Sequence, residues 1–89
     1  MQIQARHILV KNPDQMADIQ RRLAAGEDFA ALASQYSECP SRARGGDLGV
    51  FGPGQMVKSF EELAFSLEVG AVGGPVTTQF GQHMIQRTA

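Results

Sequence analysis

Cysteine is almost missing from this sequence of 89 residues, and histidine is scarce. With Cys39 alone the chain can form no internal disulfide, and with only His7 and His83 it offers no cluster spaced like a zinc site. No cofactor or metal is implied, so stability has to come from packing. Concentrated charge is also lacking. Eight basic residues against nine acidic ones leave a net charge of −1, and Arg21 and Arg22 are the only adjacent basic pair. Neither nucleic acid nor an anionic membrane surface is therefore an expected partner. No segment reaches the 18 or so apolar residues of a membrane span, and the opening MQIQARHILV lacks a basic n-region or cleavage site. A cytoplasmic chain is expected, although a domain cut from a longer secreted or anchored protein would read the same way.

What is present is the composition of an ordinary folded domain. At 43% hydrophobic and 19% charged residues the chain is too apolar for disorder and too polar for a membrane protein. Its length predicts a single domain over residues 1–89, burying about 60 to 65% of the unfolded surface around a small core. Nothing suggests an extended apolar dimer face, so a monomer is expected.

Ile3, Ala5, His7 and Leu9 alternate along the first segment, while Ile8 and Val10 make its far end apolar on both sides, as in an interior strand. Asn12 is a helix cap ahead of Pro13, with Gln15 at the third helical position and Gly26 placed to end the helix. Asp28 caps a second helix whose Phe29, Leu32, Ala33 and Tyr36 recur at helical spacing. CPSRAR, residues 39–44, reads as a turn or short helical piece, followed by a short strand at Asp47 to Phe51 and a turn at Pro53 and Gly54. Ser59 and Glu62 form a capping-box signature for a helix with an apolar face of Phe60, Leu63, Ala64 and Leu67, stopped near Gly70. GPVTTQFGQHMIQRT, residues 74–88, reads as two strands joined around Phe80 and Gly81. The order predicts an α+β domain, helices packed on a mostly antiparallel sheet.

The stretch GGDLGVFGPGQM, residues 45–56, holds five glycines in twelve residues. It is no Walker loop, because Gly54 is followed by Gln55 and Met56 rather than by Lys and a hydroxyl residue. The dinucleotide pattern fails too, since Gly52 and Gly54 lead to Val57. A flexible linker would not carry Leu48, Val50, Phe51 and Met56, which favour burial. A turning backbone that presents apolar groups suits a shallow hydrophobic site.

ARHILV at the start, GGDLG, GQM and FEELAF in the middle, and GPVTTQFGQH near the end together resemble the parvulin family of peptidyl-prolyl cis/trans isomerases, from about Ala5 to Thr88. The resemblance implies a four-stranded, mostly antiparallel sheet surrounded by about four helices in the order β-α-α-α-β-α-β-β. It implies that proline-containing peptides and unfolded protein segments are the partners, without a cofactor. Leu48, Met56 and Phe60 would form the proline pocket, the glycine-rich backbone would let the peptide approach closely, and Gln55 and Phe80 would lie beside the substrate. His7 and His83 would pair at the centre of the sheet, with Cys39 and Thr78 as their hydrogen-bonding partners. For each residue there is a plainer reading: Met56 and Phe60 as ordinary core, the histidines as satisfied buried groups, Gln55 as a solvated loop residue.

The chemistry implied is torsional. Turning an Xaa-Pro bond breaks no covalent bond and must lower a barrier of about 18 to 20 kcal/mol that arises from amide conjugation. A strong nucleophile is not required, so Cys39 is expected to act without covalent attack. Parvulins directed to phosphoserine-proline carry a basic cluster after the first strand; here that loop is KNPDQ, with Lys11 opposed by Asp14. An unphosphorylated substrate with an apolar or small residue before proline is expected. Two other readings stand beside this one: a chaperone-like module that binds such segments with little or no turnover, and a thiol hydrolase using Cys39, for which no oxyanion-hole motif is visible.

Overall fold

The computed structural model describes residues Met1 to Ala89. The chain runs β1 (Ile3–Val10), α1 (Pro13–Ala24), α2 (Phe29–Tyr36), a short 3-10 helix (Pro40–Arg44), β2 (Asp47–Phe51), α3 (Lys58–Ser66), β3 (Val72–Thr78) and β4 (Gly81–Arg87). The strands form one sheet in the order β2-β1-β4-β3 with every pairing antiparallel. The expected α+β architecture holds, the fourth helix being the 3-10 turn. No helix is long and apolar enough to cross a membrane.

Strand alternation divides the core between the two faces of this sheet. Ile8 and Val10 of β1 and Met84 of β4 face α1 and α2, where they pack with Met16, Ile19, Phe29, Leu32 and Ala33. Ile3 and Ala5 of β1 and Ile85 of β4 face the other way, against Phe51 of β2 and Phe60 and Ala64 of α3. His7 and His83 have the parity of this second set, so the sheet itself turns both imidazoles toward α3.

Local chemistry accounts for most of the helix ends. Asn12 accepts the backbone N–H groups of Asp14 and Gln15, and Asp28 accepts that of Ala31. Helix α3 departs from expectation. It begins at Lys58, so Ser59 lies inside the first turn, and Val57 occupies the cap position with no side-chain bond. The first turn is fastened instead by Glu61, whose carboxylate accepts the Gly54 N–H at 2.6 Å and ties the helix to the preceding loop. The helix also ends at Ser66, ahead of Gly70, whose left-handed backbone belongs to the turn into β3 and donates to Arg87 O.

Candidate active site

A cleft of about 350 Å³ opens on the α3 face of the sheet, within the size range of small-ligand sites. Leu48 of β2, Met56 and Val57 of the following loop and Phe60 of α3 form an apolar wall at one end. Leu9 comes from β1, Glu38 and Cys39 from the loop after α2, Pro40 from the start of the 3-10 helix, Thr78 from the end of β3 and Phe80 from the β3–β4 turn. His7 and His83 complete the lining.

The histidines are diagonal neighbours, since His7 pairs with Ile85 and Leu9 with His83. Their Nδ1 atoms stand 3.0 Å apart and their rings are stacked at 5.2 Å. Phe60 sets its ring nearly perpendicular to both, with centroids 5.6 Å from His7 and 5.3 Å from His83. Phe60 is only 4% exposed and is also a member of the core cluster, so the core and pocket readings of this residue are both true.

The two imidazoles and Thr78 form one hydrogen-bond chain. Thr78 Oγ1 accepts the Phe80 N–H at 3.1 Å and shares one proton with His83 Nε2 at 2.8 Å. One proton likewise lies between His83 Nδ1 and His7 Nδ1. His7 Nε2 is buried without a hydrogen-bond partner in the protein. Burial, then the charge that His83 would carry, pushes His7 down from 6.5 to about 4. Burial lowers His83 as well. Both imidazoles are neutral at pH 7.

Three expectations need correction. Cys39 lines the cleft, but its thiol makes no hydrogen bond to either histidine; its backbone N–H donates to Ser37 Oγ. Gln55 is outside the cleft because its side-chain oxygen accepts the Gly52 N–H at 2.6 Å, closing the loop upon itself. No glycine lines the cleft. The glycine-rich stretch serves internal packing instead: Gly46 lies against β1, and its carbonyl accepts the His7 N–H. Leu48, Met56, Phe60, Phe80, Thr78, His7 and His83 are brought together as expected. Leu9, Glu38, Pro40 and Val57 were not anticipated. Leu9 could have been, because it shares the strand parity of His7; Glu38 could not, because its place depends on a backbone contact between distant segments.

Residues 7–89 match the family model of the rotamase, or PPIC-type PPIase, domain. The chain belongs to this peptidyl-prolyl isomerase family. Foldase protein PrsA 4 of Bacillus cereus is 53% identical over 87 residues, covering 97% of this chain and 31% of that protein. The crystal structure of the peptidylprolyl isomerase PrsA from Bacillus cereus superposes with a TM-score of 0.94 at 52% identity, over 99% of this chain and 34% of the other. The solution structure of NmPin, the parvulin of Nitrosopumilus maritimus, gives a TM-score of 0.86 at 40% identity, over 99% of this chain and 96% of that one. The isomerase domain thus spans about a third of the PrsA proteins and nearly the whole of the archaeal parvulin.

Proposed function

We propose that this domain accelerates rotation about unphosphorylated Xaa-Pro bonds in peptides and unfolded segments by a noncovalent mechanism. The observation that carries this reading is an apolar wall set beside a neutral imidazole pair in which no nucleophile is bonded to a base. The proline ring sits against Leu48, Met56 and Phe60. A planar amide owes its barrier and part of its dipole to conjugation, whereas the twisted amide has lost both, so a dry apolar setting favours the twisted state relative to water. The Thr78–His83–His7 chain holds the floor rigid beneath it. Cys39 packs beside the substrate without attacking it.

A non-catalytic binding module is not favoured, because the relatives are named as isomerases and foldases and the site residues assemble together here. The 89 residues are read as one domain and as a monomer acting on proline-containing protein segments, with the scattered basic charge arguing against nucleic acid as a partner. The cytoplasmic placement finds no support in these relatives. The alternative expectation, a domain of a longer secreted protein, accords better with a chain that spans about a third of the PrsA foldases.

Exchange NMR on Xaa-Pro peptides with substoichiometric protein tests the reading. Accelerated cis/trans exchange that falls at least tenfold in Met56→Ala is expected. Peptide shifts with no gain in exchange rate would overturn catalysis and leave binding alone.

A further inference from the structure

The cleft contains one ionised side chain, Glu38. It is fixed at the end of β1 from two directions, its backbone N–H donating to Leu9 O at 2.7 Å and its Oε2 accepting the Lys11 N–H at 3.1 Å. Its Oε1 takes no hydrogen bond from the protein, and no lysine or arginine stands within ion-pair distance, the ion pairs of this chain being Arg21 with Asp18 and Arg22 with Glu27. With both histidines neutral, nothing inside the cleft offsets this negative charge.

Glu38 is held at Leu9 and Lys11, the far end of β1, whereas Leu48 of the proline wall follows Asp47, the partner of Arg6 farther back along that strand. The β3–β4 turn reaches the same place, since a side chain on Gly81 would meet Leu9 Cδ1 at 3.1 Å and Lys11 Cγ at 3.3 Å. Phe80, next to that glycine, is 52% exposed and lines the cleft beside Leu9. An apolar shelf of Leu9 and Phe80 ending in an unpaired carboxylate matches the anatomy of lysine and arginine, whose carbon stems lie on apolar surface while the charged head stays wet. The aromatic face of Phe80 adds a further attraction for a cation.

We infer that Glu38 sets substrate preference, selecting a lysine or arginine immediately before the proline, and that Phe80 and Leu9 carry its stem. This rests on the isomerase reading above and replaces the apolar or small residue expected from the sequence. With the ring seated against Met56 and Phe60, the residue before proline lies across the rotating bond, and its long side chain spans to Glu38. A phosphorylated or acidic residue in that place meets like charge, which accounts for the unphosphorylated substrate without reference to the KNPDQ loop.

The test uses four otherwise identical peptides, with Lys-Pro, Ala-Pro or Glu-Pro, and with lysine after an Ala-Pro pair. Binding is read from chemical-shift titration and turnover from exchange NMR. The Lys-Pro peptide should bind and turn over about twofold to fivefold better than Glu-Pro at low salt, the size expected of exposed ion pairing, and the ratio should shrink toward one in 1 M salt. Glu38→Gln, whose amide oxygen can still accept the Lys11 N–H, should flatten the ratio, and Glu38→Lys should invert it. Equal binding of Lys-Pro and Glu-Pro by wild type, or a ratio unmoved by Glu38→Gln, overturns the inference while fast exchange preserves the isomerase reading. A preference that follows lysine after proline overturns the placement. No accelerated exchange of any peptide overturns the isomerase reading itself, and the inference with it.

Discussion

His7 and His83 face each other through their Nδ1 atoms at 3.0 Å, a geometry that admits one proton between the two nitrogens and none to spare. A second proton at that contact would set two N–H groups against each other and leave a charge in a buried place. Burial first, and then the charge His83 would carry, hold His7 at about 4, against 6.5 when free. The unfolded chain therefore binds more protons than the folded one between these values, so stability rises with pH across that window and is lost as pH falls through it. At about 1.4 kcal/mol per pH unit the difference amounts to about 3 kcal/mol between pH 6.5 and pH 4. Urea unfolding at half-unit steps should show this decline, and His7→Asn should flatten it above pH 4.5, where most carboxylates are still ionised. A His7 imidazole that titrates near 6.5 by NMR would contradict it.

Cys39 offers the second prediction. A thiol used as a nucleophile needs a base within hydrogen-bonding reach, and neither histidine is bonded to this one. Cys39→Asp should therefore retain activity within about tenfold of wild type, since the torsional step requires no covalent bond. Iodoacetamide should label the thiol no faster than an ordinary free cysteine. Collapse of Cys39→Asp to the uncatalysed rate, together with rapid labelling, would establish covalent chemistry.

The alternation of Ile3, Ala5, His7 and Leu9 was enough to place both the strand and the face its histidine occupies, because a strand has only two faces and the apolar residues choose between them. Asn12 and Asp28 were equally legible, since a cap acts within its own turn. The failures involve groups whose partners lie in another segment. Ser59 and Glu62 satisfy the capping pattern, yet Glu61 reaches seven residues back to Gly54 and draws the helix start forward. Glu38 faces the cleft because Leu9 O and Lys11 N hold it, and no local pattern announces such a contact. Gln55 looked like a substrate ligand only until its competing bond to Gly52 was visible.

Met56 and Phe60 separate binding from folding. Phe60 packs with Phe51 and Ala64 in the core, so Phe60→Ala should cost about 3 to 5 kcal/mol and confound any loss of activity with unfolding. Met56 is half-buried and sits at the edge of that cluster. Met56→Ala should cost less than about 2 kcal/mol while lowering kcat/KM at least tenfold, and Met56→Leu should recover most of the rate because the pocket keeps its volume. Thermal unfolding measured beside turnover distinguishes the two. Equal losses of stability in both variants would mean that Met56 belongs to the core as fully as Phe60 does.

Gly46 and Gly54 supply a matched pair. Their φ angles are 83° and 85°, so replacement by alanine brings about the same left-handed backbone cost, roughly 1 to 2 kcal/mol. Their surroundings differ. A Cβ on Gly54 would meet nothing within 4 Å, whereas one on Gly46 would lie 2.4 Å from the His7 carbonyl and 3.0 Å from Ala33 Cβ. Neither neighbour can swing aside, because one is strand backbone and the other a buried methyl, so overpacking adds about 1 to 3 kcal/mol. Gly46→Ala should therefore be the more destabilised of the two in urea unfolding. It should also lose activity beyond what its stability explains, since the His7 backbone pressed by the new methyl carries the imidazole bonded to His83. Equal destabilisation of the two variants, with turnover intact in both, would show that the approach of Gly46 to β1 is not what holds the histidine in place.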